Sequence, residues 1–193
     1  MKILLFKPFE RYSEKTLLLM GGFFTLLGSF FGYVFNVRFD GIVDVHIVPN
    51  TLFYQALLDN LINVFCLLFF LYISTTYLNK KTRGIDILNT ALVARAPLYL
   101  LPFFNINGVI EKASAAVIQF ANPELISQIS SSNLCIIIVF GITAILFLVW
   151  YITLLFNGFK VASNAKGKTP IILFVISLLL AEVLSKFLIV QLY

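Results

Sequence analysis

The chain has 193 residues, 60% of them hydrophobic and only 12% charged, with a mean hydropathy of +0.98, whereas a soluble domain is about half apolar and about a quarter charged. A water-soluble fold of this length is excluded, because much of its surface stays exposed and 21 Phe residues among so many Leu and Ile leave too little polar surface to cover it. The net charge of +5 does not point to nucleic acid, since in a membrane chain the place of each cation says more than the total.

The chain opens with a basic arm. Leu5, Phe6, Phe9 and Tyr12 fall on one side of a helical wheel and Lys7, Arg11 and Glu14 on the other, the pattern of a segment lying in a membrane interface. Pro8 suits the first turn of a short helix. The arm is expected along the cytoplasmic face, where it attracts anionic headgroups or serves simply as a topogenic anchor.

The first span, 17–35, contains no charge. It is long for the apolar region of a signal peptide, and residues 31–35 offer no small-x-small cleavage site, so it is expected to stay in the chain. Gly28-x-x-x-Gly32 permits close helix approach and marks a packing face, within the molecule or between copies. Loop 36–53 alternates apolar residues weakly, ends at Pro49 and reads as a small extended cap. Its His46, with Asp40 and Asp44 nearby, allows a metal or pH-sensing role, although an exposed loop histidine is the simpler reading and no metal site is expected.

Four more stretches, 55–78, 85–104, 134–156 and 170–192, meet the requirement of about 20 mostly apolar residues. The second span starts with Asp59, Asn60 and Asn63, and the third holds Asp86, Arg95, Pro97 and Pro102, so hydropathy alone scores them low. Loop charges restore them. Lys and Arg number four in the arm, three in 79–84 and three in 157–169, against only Arg38 and Lys112 in loops 36–54 and 105–133. Cytoplasmic loops retain Lys and Arg, so ten against two implies an odd number of crossings, with the N-terminus in the cytoplasm and the C-terminus on the far side. Within loop 105–133, Val109, Ile110, Ala113, Val117 and Phe120 share a helical face, predicting an interfacial helix over about 108–121. Asn122-Pro123-Glu124 reads as the start of another. Cys66 and Cys135 suit packed thiols rather than a disulfide framework.

Ionisable groups at membrane depth are costly and normally find partners. Arg95 and Glu182 both lie halfway along their spans, at depths that would allow them to pair. Asp59 and Lys186 match in depth near the outer side, and Lys186 follows Glu182 by one helical turn. Arg95, Glu182, Asp59 and Lys186 therefore form a candidate intramembrane charged network, which Asn60, Asn63 and Asn89 extend. It serves either to set helix order or to carry protons, lipid headgroups or a substrate, given Pro97 and Pro102 in the third span. No nucleophile motif, phosphate loop or H-E-x-x-H is present, so no catalytic residue and no cofactor is expected.

Lys7-Pro8-Phe9-Glu10-Arg11, Ala94-Arg95-Ala96-Pro97 and Asn157-Gly158-Phe159-Lys160-Val161-Ala162, on this five-span layout, resemble the Yip1-like family in its bacterial branch. Eukaryotic members of that family are associated with vesicle trafficking, small GTPases and membrane shaping through a longer cytosolic N-terminal region with an acidic Leu-Tyr-Gly-Pro-type motif. That motif is not found here, so the resemblance implies a non-enzymatic membrane organiser rather than GTPase recruitment. The expectation is one all-α transmembrane domain over 1–193, a five-helix bundle of the bacterial cytoplasmic (inner) membrane. Its partners are the lipid bilayer and other membrane proteins or a homo-oligomer, with no nucleic acid. A small transporter or channel component is the alternative function.

Overall fold

The computed structural model describes residues 7–119 and 130–192. Five helical segments are long and apolar enough to cross a membrane, the architecture of a membrane-integral helical bundle. The elements are α1 (Glu14–Val34), the strands β1 (Val37–Arg38) and β2 (His46–Ile47), α2 (Phe53–Leu78), α3 (Gly84–Ala94), a 3-10 segment (Leu98–Gly108), α4 (Val109–Gln119), α5 (Ser131–Ser163) and α6 (Thr169–Leu192). A 3-10 turn, Pro8–Glu10, precedes α1.

The ends of these elements follow local chemistry. Ser13 caps α1 by accepting from the Thr16 amide at 3.3 Å. Four described non-glycine residues adopt positive φ, and all are asparagines: Asn36, Asn50, Asn107 and Asn164. Asparagine tolerates this left-handed conformation best among residues with a side chain, and Asn36 and Asn164 use it where α1 and α5 stop. In the third span, Pro97 offers no N–H and disfavours helix at Ala96, so α3 ends at Ala94 and the chain continues as the 3-10 segment, with Pro102 inside it. The third span, 85–104, is therefore broken at the prolines that the sequence places in it.

The longest helix, α5, runs for 33 residues, from Ser131 to Ser163. At 1.5 Å per residue it measures about 50 Å, well beyond a hydrocarbon layer of about 30 Å. Helix α6 lies mainly against α2, α1 against α3, and α5 against α3 and α4. The second span thus meets the fifth, but the third does not pack closely along it; the space between is taken by loop.

That loop is the unexpected element. β1 and β2 pair antiparallel, Val37 with Ile47 and Arg38 with His46, and the segment between them turns into the bundle. Phe39 and Ile42 are both 0% exposed and join the core with Leu67, Leu71, Ile87 and Leu155. A small extended cap is present, but its centre is inserted rather than laid over the end. On the first helix, a Cβ at Gly28 would lie 2.2 Å from the Tyr99 ring, and one at Gly32 would lie 2.7 Å from the Val37 carbonyl oxygen. Both glycines therefore pack against this same chain.

At the opposite end the arm meets α5, with Pro8 buried and Phe9 half-buried against the core; Leu5 and Phe6 lie outside the described residues. α4 occupies the place of the interfacial helix, with Ile110 and Ala113 buried, and the side chain of Asn105 caps it by accepting from the amides of Ile110 and Glu111 at 3.1 Å each. Phe120 and the Asn122-Pro123-Glu124 start lie outside the described residues.

Candidate functional site

The inserted loop gathers the intramembrane polar groups around its backbone. A chain entering a bundle without secondary structure brings amides and carbonyls that must be paired where water is excluded. Each neighbouring helix supplies a side chain for that purpose. From α2, the Asn63 Nδ2 donates to the Phe39 carbonyl at 2.6 Å. From α6, a single oxygen of Glu182, Oε2, accepts from the amides of Ile42 at 2.6 Å and Val43 at 3.0 Å. From the break after α3, Arg95 Nη1 donates to the Ile42 carbonyl at 3.2 Å. Gly41 stands where loop and helix approach closely, since a Cβ there would lie 2.7 Å from Glu182 Oε1 and 2.9 Å from the Asp44 Cβ, so a side chain at this position would displace both.

Arg95 is 0% exposed. Its Nη2 donates to Asn60 Oδ1 at 3.1 Å, and the Asn60 Nδ2 donates in turn to Ser29 Oγ at 3.0 Å, which ties α3 to α2 and α1. The guanidinium carbon lies 5.9 Å from the Tyr99 ring centre, within the range of a cation–π contact. Its Nε and the Tyr151 hydroxyl are buried and make no hydrogen bond of good geometry among the described residues, although the two side chains interact with each other.

Arg95 and Glu182 match in depth but do not pair. Both residues hold Ile42, one through its carbonyl and the other through its amide, so the loop peptide stands between them. Asp59 does not pair with Lys186 either: it receives two hydrogen bonds from Arg38, at 2.8 Å from Nε and 2.7 Å from Nη2. This bidentate geometry suits guanidinium and carboxylate, and Asp59 is wholly buried within it. Lys186 contacts Asp44 at 2.5 Å and Glu182 at 3.4 Å. Of the amides, Asn60 and Asn63 join the cluster, whereas Asn89 lies at the other end of the bundle and donates to the Glu14 carbonyl at 3.1 Å. The arrangement thus keeps the four charged residues near one loop and keeps Lys186 beside Glu182, but gives Arg95 and Asp59 other partners than the residues that match them in depth.

Arg38 and the backbone of 39–45 are what the sequence reading missed. Arg38 counted only as a loop cation. The available signal was Phe39 and Ile42, two large apolar residues flanking Gly41 in a loop too polar to be a span.

Outside the spans, His46 Nδ1 lies 2.7 Å from Asp40 and its Nε2 lies 3.8 Å from Asp44. The hydrogen bond to Asp40 raises the His46 pKa, against a smaller desolvation effect and with help from both carboxylates. Burial pushes Asp44 upward, but the Lys186 hydrogen bond, the charges of His46 and Lys186 and the Val45 amide together bring it below its ordinary value. Among the described residues, no three His, Cys, Asp or Glu side chains form a metal-holding group.

Comparison of the chain with protein-family models, with curated proteins and with solved structures gives no match.

Proposed function

We propose that the protein is a non-enzymatic membrane scaffold or accessory subunit, of the kind its resemblance to Yip1-like proteins implies, and that its intramembrane charges hold the bundle together. The observation that carries this reading is how the carboxylates are used. Asp59 is saturated by Arg38, and Glu182 binds two loop amides with the same oxygen. A proton or substrate relay needs groups that exchange partners, whereas these are held by backbone and bidentate contacts. The ten-to-two distribution of basic residues supports insertion with the N-terminus in the cytoplasm and the C-terminus outside, in a bacterial inner membrane.

One feature favours the transporter reading: the third span breaks beside a wholly buried arginine, and broken helices line many transport sites. The two readings separate in affinity purification from mild detergent, with wild type and the Arg95→Met/Glu182→Gln double variant. A scaffold retains a reproducible set of membrane partners in both. A clean monomer with no partner, or a folded double variant that keeps its partners but loses its cellular phenotype, defeats the scaffold reading. Orientation is tested in a Cys135→Ser background. With impermeant thiol reagent in intact cells, Asn50→Cys labels and Lys166→Cys does not; the reverse pattern overturns the topology.

A further inference from the structure

His46, the only histidine, has no part in holding the helices together. It stands on β2 with its side chain 54% exposed, so it exchanges protons with the surrounding solvent. From there a line of charged contacts runs inward. Its Nδ1 lies 2.7 Å and 2.9 Å from the two carboxylate oxygens of Asp40, and its Nε2 lies 3.8 Å from Asp44. Asp44 contacts Lys186 of α6, Lys186 contacts Glu182 one turn earlier, and Glu182 holds the amides of Ile42 and Val43.

This line is short of positive charge. Asp40, Asp44 and Glu182 are three carboxylates, and Lys186 is the one ammonium in contact with them. Across the strand pair from His46, Arg38 is engaged with Asp59 of α2, and Arg95 meets Ile42 from the other side, through its carbonyl. With His46 neutral, the line therefore carries two negative charges in excess, and with His46 protonated only one. The turn feels the difference directly. A Cβ at Gly41 would lie close to Glu182 Oε1 and the Asp44 Cβ, and 3.1 Å from Lys186 Cε, so charged groups of loop and helix crowd the same bend. Like charges repel more strongly there than in bulk water.

We propose that His46 is a proton-operated latch on the inserted loop. Its imidazolium, between Asp40 and Asp44, keeps 39–45 seated in the bundle; loss of that proton leaves the carboxylates to repel, loosens the seat and opens the polar interior at Glu182 to solvent. The direction follows from linkage. The Asp40 hydrogen bond raises the His46 pKa, and Asp40 and Asp44 are held in place because Phe39 and Ile42, beside and between them, are buried. A seated loop thus binds the proton more tightly than a withdrawn one. Protonation favours seating, fully below about pH 6.5, and the effect is lost as pH rises through the folded value. A cavity of about 300 Å³, lined by Arg38, Asp40, Lys186, Ile189 and Val190, borders the latch and is the space into which a loosened turn opens. The latch rests on neither the scaffold reading nor the orientation of the chain, since protein in detergent meets one buffer at both ends.

The test uses the purified full chain in neutral detergent, carrying Val43→Cys in a Cys135→Ser background. Its thiol labelling rate is divided at each pH by that of the exposed Asn50→Cys, so that the shared pH dependence of thiol reactivity cancels. From about pH 5.5 to about pH 8 this ratio is expected to rise about threefold, the scale of a half-exposed ion pair. In His46→Gln it stays flat at the high-pH value, and Asp40→Asn, which removes the charge that holds the imidazolium, flattens it as well. Glu182→Gln is expected to leave the NMR titration of the imidazole in place but to shrink the rise, because the charge at the seat is gone. A flat or falling ratio in the otherwise wild-type chain, or a full rise in folded His46→Gln, overturns the latch. An undiminished rise in Glu182→Gln overturns its link to the interior. None of these measurements reads partner binding, so their failure leaves the scaffold reading standing.

Discussion

Glu182→Ala removes the acceptor that two amides of the inserted loop share. Oε2 accepts from Ile42 at 2.6 Å and Val43 at 3.0 Å, and the side chain is 17% exposed. Leaving a buried donor unpaired costs about 1–3 kcal/mol, so two orphaned amides correspond to about 2–6 kcal/mol. The contact from Lys186, at 3.4 Å and with that lysine 46% exposed, adds little. Glu182→Gln keeps a neutral carbonyl oxygen in the same place and loses only the charge-assisted part of both bonds, about 1–2 kcal/mol. Thermal unfolding in detergent reads the order, with Ala well below Gln and Gln slightly below wild type. Thiol labelling of Val43→Cys, in a Cys135→Ser background, reads the loop itself and accelerates with Glu182→Ala. An Ala variant as stable as the Gln variant, with unchanged labelling, would refute the role assigned to Glu182.

Replacing Arg38 with Met strands the buried Asp59 carboxylate and is expected to cost about 3–5 kcal/mol, much of it recovered by adding Asp59→Leu; equilibrium unfolding of the single and double variants checks this. Arg95→Met and Glu182→Gln, which act on opposite sides of Ile42, should couple by roughly 0.5–3 kcal/mol in a double-mutant cycle, whereas strict additivity would mean that the loop does not link them. Gly28→Ala forces a Cβ to within 2.2 Å of the Tyr99 ring and should destabilise by about 1–3 kcal/mol. Gly22→Ala, with nothing within 4 Å of the added Cβ, serves as the tolerated control in the same thermal assay. His46 has a folded pKa above its ordinary 6.5 because of Asp40. Its contribution is therefore complete below about 6.5 and is lost as pH rises through the folded value; NMR titration of the imidazole and protease sensitivity of the hairpin should show the change, and His46→Gln should abolish it.

Composition and hydropathy determine that the chain belongs in a membrane, and together with the alternation of Lys and Arg between loops they determine where its spans fall. Burying some 20 apolar residues at a time is a local demand that each segment expresses by itself, and Pro97 and Asn164 mark breaks that depend only on neighbouring backbone. The polar residues of the candidate site are equally legible as misfits: Asp59, Asn60, Asn63, Arg95, Glu182 and Lys186 all stand out in apolar surroundings. Their partners are not legible. Depth along a helix gives one coordinate, which brought Arg95 to the level of Glu182 and Asp59 to that of Lys186. Pairing also requires the rotation of each helix and the content of the space between them. That space is filled by 39–45, whose backbone amides and carbonyls carry no trace in residue identity, and by Arg38, which reaches inward from a strand. Tertiary structure alone decided these contacts, because a buried charge is satisfied by whichever complementary group folding brings within about 3 Å, whether or not it belongs to a span.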